Sequence, residues 1–497
     1  MNAQAPEELP PPPFPLGRGL CLALILAASA LVHIKGIASP MLDYHFQRQC
    51  NTAAIARNYR ENGLRFFHPQ IDWSGNDRGP AATEFPLYTW LIGLLWPMGL
   101  GVLWGRVLAA AFSALTAVYL FRFLEEKLGL ESAFYSAVLF SFIPLEVYFG
   151  RTVQPEALAL LSTVAAFYHW ERAFAPDRHP DEWLAAVFFA FLAISHKIPY
   201  AYLFIPMAYL AWQKLGREAI HDGPALLAFP ITALGVYMWY RYTGKDSHFV
   251  PSYPREILSH LSYRRLPYFV QFQFISRFPE LVATYGGMIL IFFGAREIVF
   301  RRRLVFFAVW FLSICAYLVA GGDYTFRYEY TSLPLVPVNA AFMGEGLRLL
   351  RESAARLRPG LRRWALAGLA LLVLSVPIHA ALRIKHWYRI NYPFLINAEA
   401  AADKISSRGD LFITNHAADS LFLFHLHRRG WGYDPEKDGS DPLDFIRRKI
   451  PEGAKFFATE KAGPFADKGG LPARGLYSRF PVAYDDGSLL VFRLKQR

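Results

Sequence analysis

The sequence predicts an all-α polytopic membrane protein with a small α/β domain at its C-terminal end. Three observations predict it. Of 497 residues, 54% are hydrophobic and only 19% are charged, below the roughly 25% of a soluble domain. The apolar residues come in blocks, about eleven of which approach the ~20 residues that cross a bilayer core. After about residue 385 the composition turns to a polar and apolar mixture, and roughly a hundred residues suffice for a small domain.

The formal charge is +12. Much of the Lys and Arg lies in short connections between apolar blocks, where it sets topology and meets anionic lipid. No nucleic-acid motif accompanies it, so nucleic acid is not expected as a partner. Cys21, Cys50 and Cys315 give no disulfide framework.

In order, a short tail with Pro10 to Pro13 leads to a first span at 19–36, which lacks a small-residue cleavage site and reads as a retained helix. A large polar loop follows, 37–103. Within it 44–60 reads as an interfacial helix, and 86–99, closed by Pro97 and Gly99, is too short to span and reads as lying on the surface. The remaining spans are 104–124, 132–149, 156–174, 182–195, 198–214, 222–242, 280–299, 304–320, 331–349 and 364–382. A cytoplasmic N-terminus puts Arg301 to Arg303 and the group Arg351, Arg356, Arg358, Arg362 and Arg363 inside, as the positive-inside rule asks of short loops. The loops 37–103 and 243–279 and the domain 386–497 then face outward, beyond a membrane domain of residues 1–385. In that small domain 397–406 and 441–449 read as helices, and 411–414, 455–459 and 488–494 as strands. It carries neither a phosphate-cradling glycine loop nor a nucleophile elbow.

On this topology Asp43, Arg48, Glu84, Glu146, Arg151, Glu156, His196, Lys197, Asp323 and Arg327 all fall at the outer face. Charge at mid-membrane marks conduction paths, and transporters place binding groups there. Polar groups gathered at one face favour surface chemistry instead. His196-Lys197-Ile198-Pro199 interrupts a long apolar run. It is either a hairpin tip whose Lys snorkels to water or a cation at headgroup depth for a lipid phosphate. Glu156 opens a helix after Gln154-Pro155, where a carboxylate also serves as a cap, and Glu84 before Pro86 has the same double reading. Asp43 is an N-cap candidate, yet Tyr44, His45, Gln47 and Arg48 beside it offer contacts suited to sugar or phosphate. Asp323 to Tyr330, with Arg327 and Tyr328, is an aromatic turn that suits either a pyranose face or an interfacial belt.

Taken together, Asp43-Tyr44-His45-Phe46-Gln47-Arg48-Gln49, then Ala53-Ala54-Ile55-Ala56-Arg57-Asn58, Glu84-Phe85-Pro86-Leu87-Tyr88, and Arg151 with Gln154-Pro155-Glu156 resemble the bacterial glycosyltransferases of family 39. These are relatives of the protein O-mannosyltransferases and the lipid A aminoarabinose transferases. The resemblance covers about residues 15–385. It implies the GT-C fold and a transferase using a polyprenyl-phosphate-linked sugar on the outer face. It also implies that Asp43 lies in the catalytic centre, with matches at Glu84, Glu156 and Lys197, the last meeting donor phosphate. The chain departs from the pattern where mannosyltransferases often show two adjacent acids, here Asp43-Tyr44.

The expected chemistry is inverting transfer. A base takes the proton of an acceptor hydroxyl and phosphate leaves, so one carboxylate with phosphate-binding cations suffices. Asp43 is the expected base. Lys197, with Arg48 or Arg327, would steady the leaving phosphate, and Glu84, Arg151, Glu156, His196 and Tyr328 would bind substrate. A divalent cation, Mg²⁺ or Mn²⁺, on Asp43 and Glu156 is another use of the acids, although no tight ligand spacing marks it. The expected acceptor is a glycan, lipid or protein hydroxyl. The competing classes are a lipid-linked sugar flippase, whose mid-membrane charge is missing here, a polysaccharide ligase with a diphosphate-lipid donor, and a scaffold, which the outer cluster argues against.

Overall fold

A computed structural model of the chain describes residues 14–77, 79–81, 84–175, 179–244, 266–300, 305–416, 419–439, 441–465, 468–469 and 473–494. Arg301 to Arg303, the proline tail and most of the loop 243–279 lie outside them.

Helices α1 (Arg18–Ile34), α2 (Phe46–Glu61), α3 (Leu87–Leu95), α4 (Leu103–Leu128), α5 (Leu130–Phe142) and α6 (Pro144–Phe149) open the chain. Then come α7 (Glu156–Arg172), α8 (Pro180–His196), α9 (Phe204–Leu215), α10 (Gly223–Thr243), α11 (Leu266–Val270), α12 (Tyr285–Phe300), α13 (Val305–Ala320), α14 (Gly322–Arg327), α15 (Leu335–Ala355) and α16 (Pro359–Arg383). Their apolar faces pack into one large core around Trp170 and Trp310, both fully buried.

Several stretches expected as single spans are divided. The run 132–149 breaks at Ile143-Pro144, where Ile143 is extended, because a proline drives its predecessor out of the helical region. The run at 280–299 is the second arm of a pair bent by 99° at Thr284, whose φ of 64° ends the preceding π-helical segment Gln271–Ala283. Residues 198–203 form a 3₁₀ turn before α9. Among the described residues three helices are long and apolar enough to cross a membrane, α4, α10 and α16, or four if the bent pair is one span. The count of about eleven therefore rests on sequence alone.

Helix α2 departs from its expected surface position. Its buried residues include Arg57 and Asn58 as well as Cys50, Ala53 and Ala54, because the C-terminal region covers its polar side. That region holds a five-stranded sheet, β1 (Leu411–Thr414), β2 (Arg429–Gly432), β3 (Ala454–Glu460), β4 (Val482–Asp485) and β5 (Leu489–Arg493), in the order β2-β1-β3-β5-β4. Strand β1 runs parallel to β2 and β3, and β5 antiparallel to β3 and β4. Strands β2 and β4 add to the three expected. The short β2, Arg429-Gly430-Trp431-Gly432, has two glycines and no alternation to announce it.

The sheet docks on the loop 37–103 through backbone and side chain. Gly75 N donates to Gly430 O at 2.7 Å and Gly430 N to Asp72 O at 3.0 Å. Arg57 donates to Phe424 O at 2.8 Å and to Asp72 Oδ2 at 2.7 Å. Cys50 and Ala53 of α2 share one apolar cluster with Leu421, Phe422 and Phe456. The stretch 37–103 thus lies between two bodies, which fixes α2 and the connection before it.

Candidate active site

The connection from α1 to α2 carries Asp43, which has no exposed surface. Arg151 donates to its Oδ2 at 2.8 Å. Arg106, in the first turn of α4, donates to Oδ1 at 3.1 Å, and Gln49 Nε2 to the same oxygen at 2.6 Å. Both guanidiniums are themselves fully buried, and both also donate to Gly36 O. Gly36 has φ +71° and a side chain there would sit 3.3 Å from the Arg151 guanidinium, so glycine permits the backbone to approach both arginines. Arg151 also stacks over Tyr148 and Tyr388, 4.9 and 4.6 Å from the ring centres. Asp43 therefore ties the α1–α2 connection, the start of α4 and the α6–α7 connection into one buried knot.

A second cluster lies nearer the solvent. Phe85 N donates to Ser195 O at 3.0 Å, which sets Glu84 beside the end of α8. There the Lys197 ammonium reaches Glu156 at 2.7 Å and Glu84 at 3.5 Å. Arg48, one turn into α2, pairs with Glu84. The Lys197 ammonium also lies 5.2 Å from the Tyr330 ring, a cation–π distance. Two cations thus face two carboxylates. Arg48, Thr52, Glu84, Tyr88 and Pro155 line a cavity of about 60 Å³, and Ala81 is shared with a neighbouring cavity of about 440 Å³ bordered by Asn58, Asn62, Arg65, His68 and Tyr242.

The aromatic turn completes the face. Tyr44 donates to Glu329 at 2.9 Å and His45 Nε2 lies 3.2 Å from the other oxygen. His45 holds a left-handed φ of 58° at the start of α2, a conformation costing on the order of 1 kcal/mol, and its ring is wedged between Tyr330 and Phe149, at 5.2 and 5.5 Å. Burial acts to raise the Glu329 carboxyl, but the hydrogen bonds from His45 and Tyr44 outweigh it and hold the pKa below the ordinary 4.5. Tyr328 stacks on Tyr330 with 5.4 Å between centres. Arg327 is exposed and forms no ion pair among the described residues.

Of the residues singled out in the sequence, Arg48, Glu84, Glu156 and Lys197 come together, with Arg327 and Tyr328 on the adjoining turn. Asp43 and Arg151 form the knot behind them. His196 is buried against Phe85, its Nδ1 2.7 Å from Leu192 O, outside the ion cluster. Glu146 is buried in α6. Asp323 lies in α14, its side chain outside the described residues. The proposed metal pair does not fit: Asp43 is occupied by guanidinium groups and Glu156 by Lys197, and among the described residues no three His, Cys, Asp or Glu side chains gather to hold a metal ion. Sequence reading missed Arg106 and Glu329. An arginine opening an apolar block was the signal for the first; Glu329 sat among the aromatics without a mark of its own.

Comparison with known proteins agrees with this architecture. Residues 80–240 match a family described as dolichyl-phosphate-mannose-protein mannosyltransferase. Comparison with curated proteins finds no match. Among solved structures the chain is similar to ArnT from Cupriavidus metallidurans bound to undecaprenyl phosphate, at 12% identity and a TM-score of 0.67, covering 96% of this chain and 98% of that one. It is similar to the oligosaccharyltransferase AglB from Archaeoglobus fulgidus in complex with an inhibitory peptide and a dolichol-phosphate, at 10% identity, a TM-score of 0.56, and coverage of 88% and 69%. It is also similar to the arabinofuranosyltransferase AftD from Mycobacteria, at 12% identity, a TM-score of 0.56, and coverage of 97% and 42%. The chain has the GT-C fold of membrane glycosyltransferases.

Proposed function

We propose that this protein is an integral-membrane glycosyltransferase that moves a sugar from a polyprenyl-phosphate donor to an acceptor hydroxyl on the outer face of a bacterial inner membrane, with inversion at the sugar. The observation that carries the reading is the meeting of Arg48, Glu84, Glu156 and Lys197 from four separate parts of the chain, with Arg48 and Glu84 lining a cavity. The fold shared with ArnT supports it.

The donor phosphate is assigned to Lys197 and Arg48, with Arg327 supplying a further positive charge. Both cluster cations are held by carboxylates. A phosphate oxygen that takes their place on Arg48 and Lys197 releases Glu84, which faces the cavity. Glu84 then accepts the proton of the acceptor hydroxyl. The acceptor oxygen attacks the anomeric carbon from the side opposite the phosphate, the bond from that carbon to the phosphate oxygen breaks, and the polyprenyl phosphate leaves with the electron pair. The cations stabilise the charge that grows on it. Glu156 keeps Lys197 in position. Asp43, expected as the base, has no surface through which to touch a hydroxyl in this geometry, so the proposal gives it the task of holding the loops that carry Arg48 and Glu156.

The test is mass spectrometry of envelope glycans with and without the protein, joined to transfer assays in membranes carrying Asp43→Asn or Glu84→Gln. The proposal expects a hexose or pentose lost from one envelope acceptor and no turnover for Glu84→Gln. Full activity of Glu84→Gln beside a folded but inactive Asp43→Asn returns the base to Asp43. Unchanged glycans refute the transferase reading.

A further inference from the structure

A groove lies at the end of the molecule opposite the site. It runs between α5, α15 and α16, has a volume of about 510 Å³, and is lined by apolar side chains such as Val138, Leu347, Leu369, Ala370 and Val373, with Tyr135 and Arg351 as the polar exceptions. Helix α16 has 25 residues, about 37 Å at 1.5 Å per residue. Its C-terminal end leads to Trp387 and Tyr388, which pack on Tyr44 and Arg151. Its N-terminal end, about two turns before the first groove residue on this helix, Leu366, is therefore a membrane thickness away from the candidate site.

The charges there are unbalanced in a specific way. Arg351 is bonded to Glu131, its Nη2 donating to Oε2 at 2.7 Å. Arg348 takes both Glu345 and Glu352, at 2.7 and 2.6 Å. These three carboxylates are thus already paired. Arg358, Arg362 and Arg363 remain, all exposed and in no ion pair among the described residues. Their charge opposes the positive end of the helix on which they sit, so helix stability does not account for them. Trp364, 80% exposed, and the exposed Leu357 and Leu361 stand among them, the mixture found at headgroup depth. From Arg362 the groove residues continue to Leu374, 12 residues or about 18 Å along the helix. That is close to one leaflet of a ~30 Å hydrocarbon core.

We propose that this groove is a seat for one anionic glycerophospholipid of the adjacent leaflet, its acyl chain lying along Leu366 to Leu374 and its phosphate diester held by Arg358, Arg362 and Arg363. The groove gives the chain a place and the three unbalanced guanidiniums select the headgroup, since each binds a phosphate through paired N–H donors. A zwitterionic lipid would bring its own cation into the same cluster and lose that advantage.

The experiment uses the full-length protein, purified in detergent and stripped of lipid, titrated with phosphatidylglycerol, phosphatidylcholine or inorganic phosphate and followed by native mass spectrometry and thermal unfolding. Phosphatidylglycerol is expected to stay bound and raise the melting temperature, while phosphatidylcholine and free phosphate do neither. The triple variant R358Q/R362Q/R363Q is expected to weaken phosphatidylglycerol binding about a hundredfold, about fivefold for each arginine. Ala370→Trp, which fills the groove without touching a charge, is expected to abolish the bound lipid and keeps the test open where the triple variant fails to insert. Equal binding of both lipids, or phosphatidylglycerol binding unaffected by Ala370→Trp, overturns the proposal.

Discussion

Arg151 holds Asp43 at 2.8 Å with neither side chain exposed to solvent. Arg106 completes the arrangement from the other oxygen at 3.1 Å. Two guanidiniums on one carboxylate leave a net positive charge in the interior, eased by Gly36 O and by the Tyr148 and Tyr388 rings. Removing the carboxylate leaves two buried cations without an anion. Asp43→Ala is therefore expected to cost about 3–5 kcal/mol, read as a large drop in melting temperature of the detergent-purified protein. Asp43→Asn, which keeps a carbonyl acceptor, is expected to cost less. Equal stability of Asp43→Ala and wild type contradicts the knot.

The docking of the C-terminal sheet can be loosened at one atom. Gly75 has φ +70°, and a side chain there would run into the indole of Trp431. Gly75→Ala combines backbone strain of about 1 kcal/mol with that clash. It is expected to speed proteolysis between the two bodies, and a second change, Trp431→Phe, which keeps a ring in that core cluster, is expected to relieve part of the clash and slow the proteolysis again. If Gly75→Ala resists protease like wild type, the Gly75–Gly430 contact does not govern docking.

Glu329 gives a pH dependence with a defined sign. Its folded pKa is held below 4.5 through His45 and Tyr44. A carboxylate depressed in the folded state contributes stability that is present above its unfolded pKa and lost as pH falls through the folded one. Wild type is therefore expected to melt above Glu329→Gln at neutral pH, and the gap is expected to close as pH is taken below 4.5. A gap that stays constant with pH means that size and shape, rather than charge, hold this turn.

The sequence made the helical region and the ionic cluster legible because both are written in long-range composition. Apolar blocks mark helices, and polar residues between them mark a face. Glu84, Glu156 and Lys197 stood out for that reason, and they meet. The depth of Asp43 was not legible, since burial there depends on Arg106 and Arg151 arriving from other helices. The breaks at Ile143 and Thr284 were hidden inside runs whose hydropathy never drops; Pro144 was a visible cue, whereas nothing at Thr284 marks its positive φ. Strand β2 was unreadable because its partner β1 and the loop at Asp72 and Gly75, rather than its own glycine-rich sequence, hold it extended.

The strongest test of the site concerns how Lys197 is shared. Its ammonium is 2.7 Å from Glu156 and 3.5 Å from Glu84, with the side chains of Lys197 and Glu156 nearly out of solvent. Breaking a buried pair from one side strands the other charge, at a cost of about 3–5 kcal/mol, while removing both together costs less than the sum. Lys197→Met and Glu156→Gln are each expected to destabilise the protein, and the double variant to recover part of the loss. Activity separates from stability in this cycle. The double variant lacks the cation assigned to the donor phosphate, so it is expected to remain inactive even where its melting temperature recovers. Lys197→Arg is expected to keep partial transfer, because the charge stays although its shape changes. Transfer rates for wild type and the four variants, measured with melting curves on the same preparations, check both halves. A double variant that regains stability and full transfer makes Lys197 a structural residue and moves the phosphate site to Arg48 and Arg327.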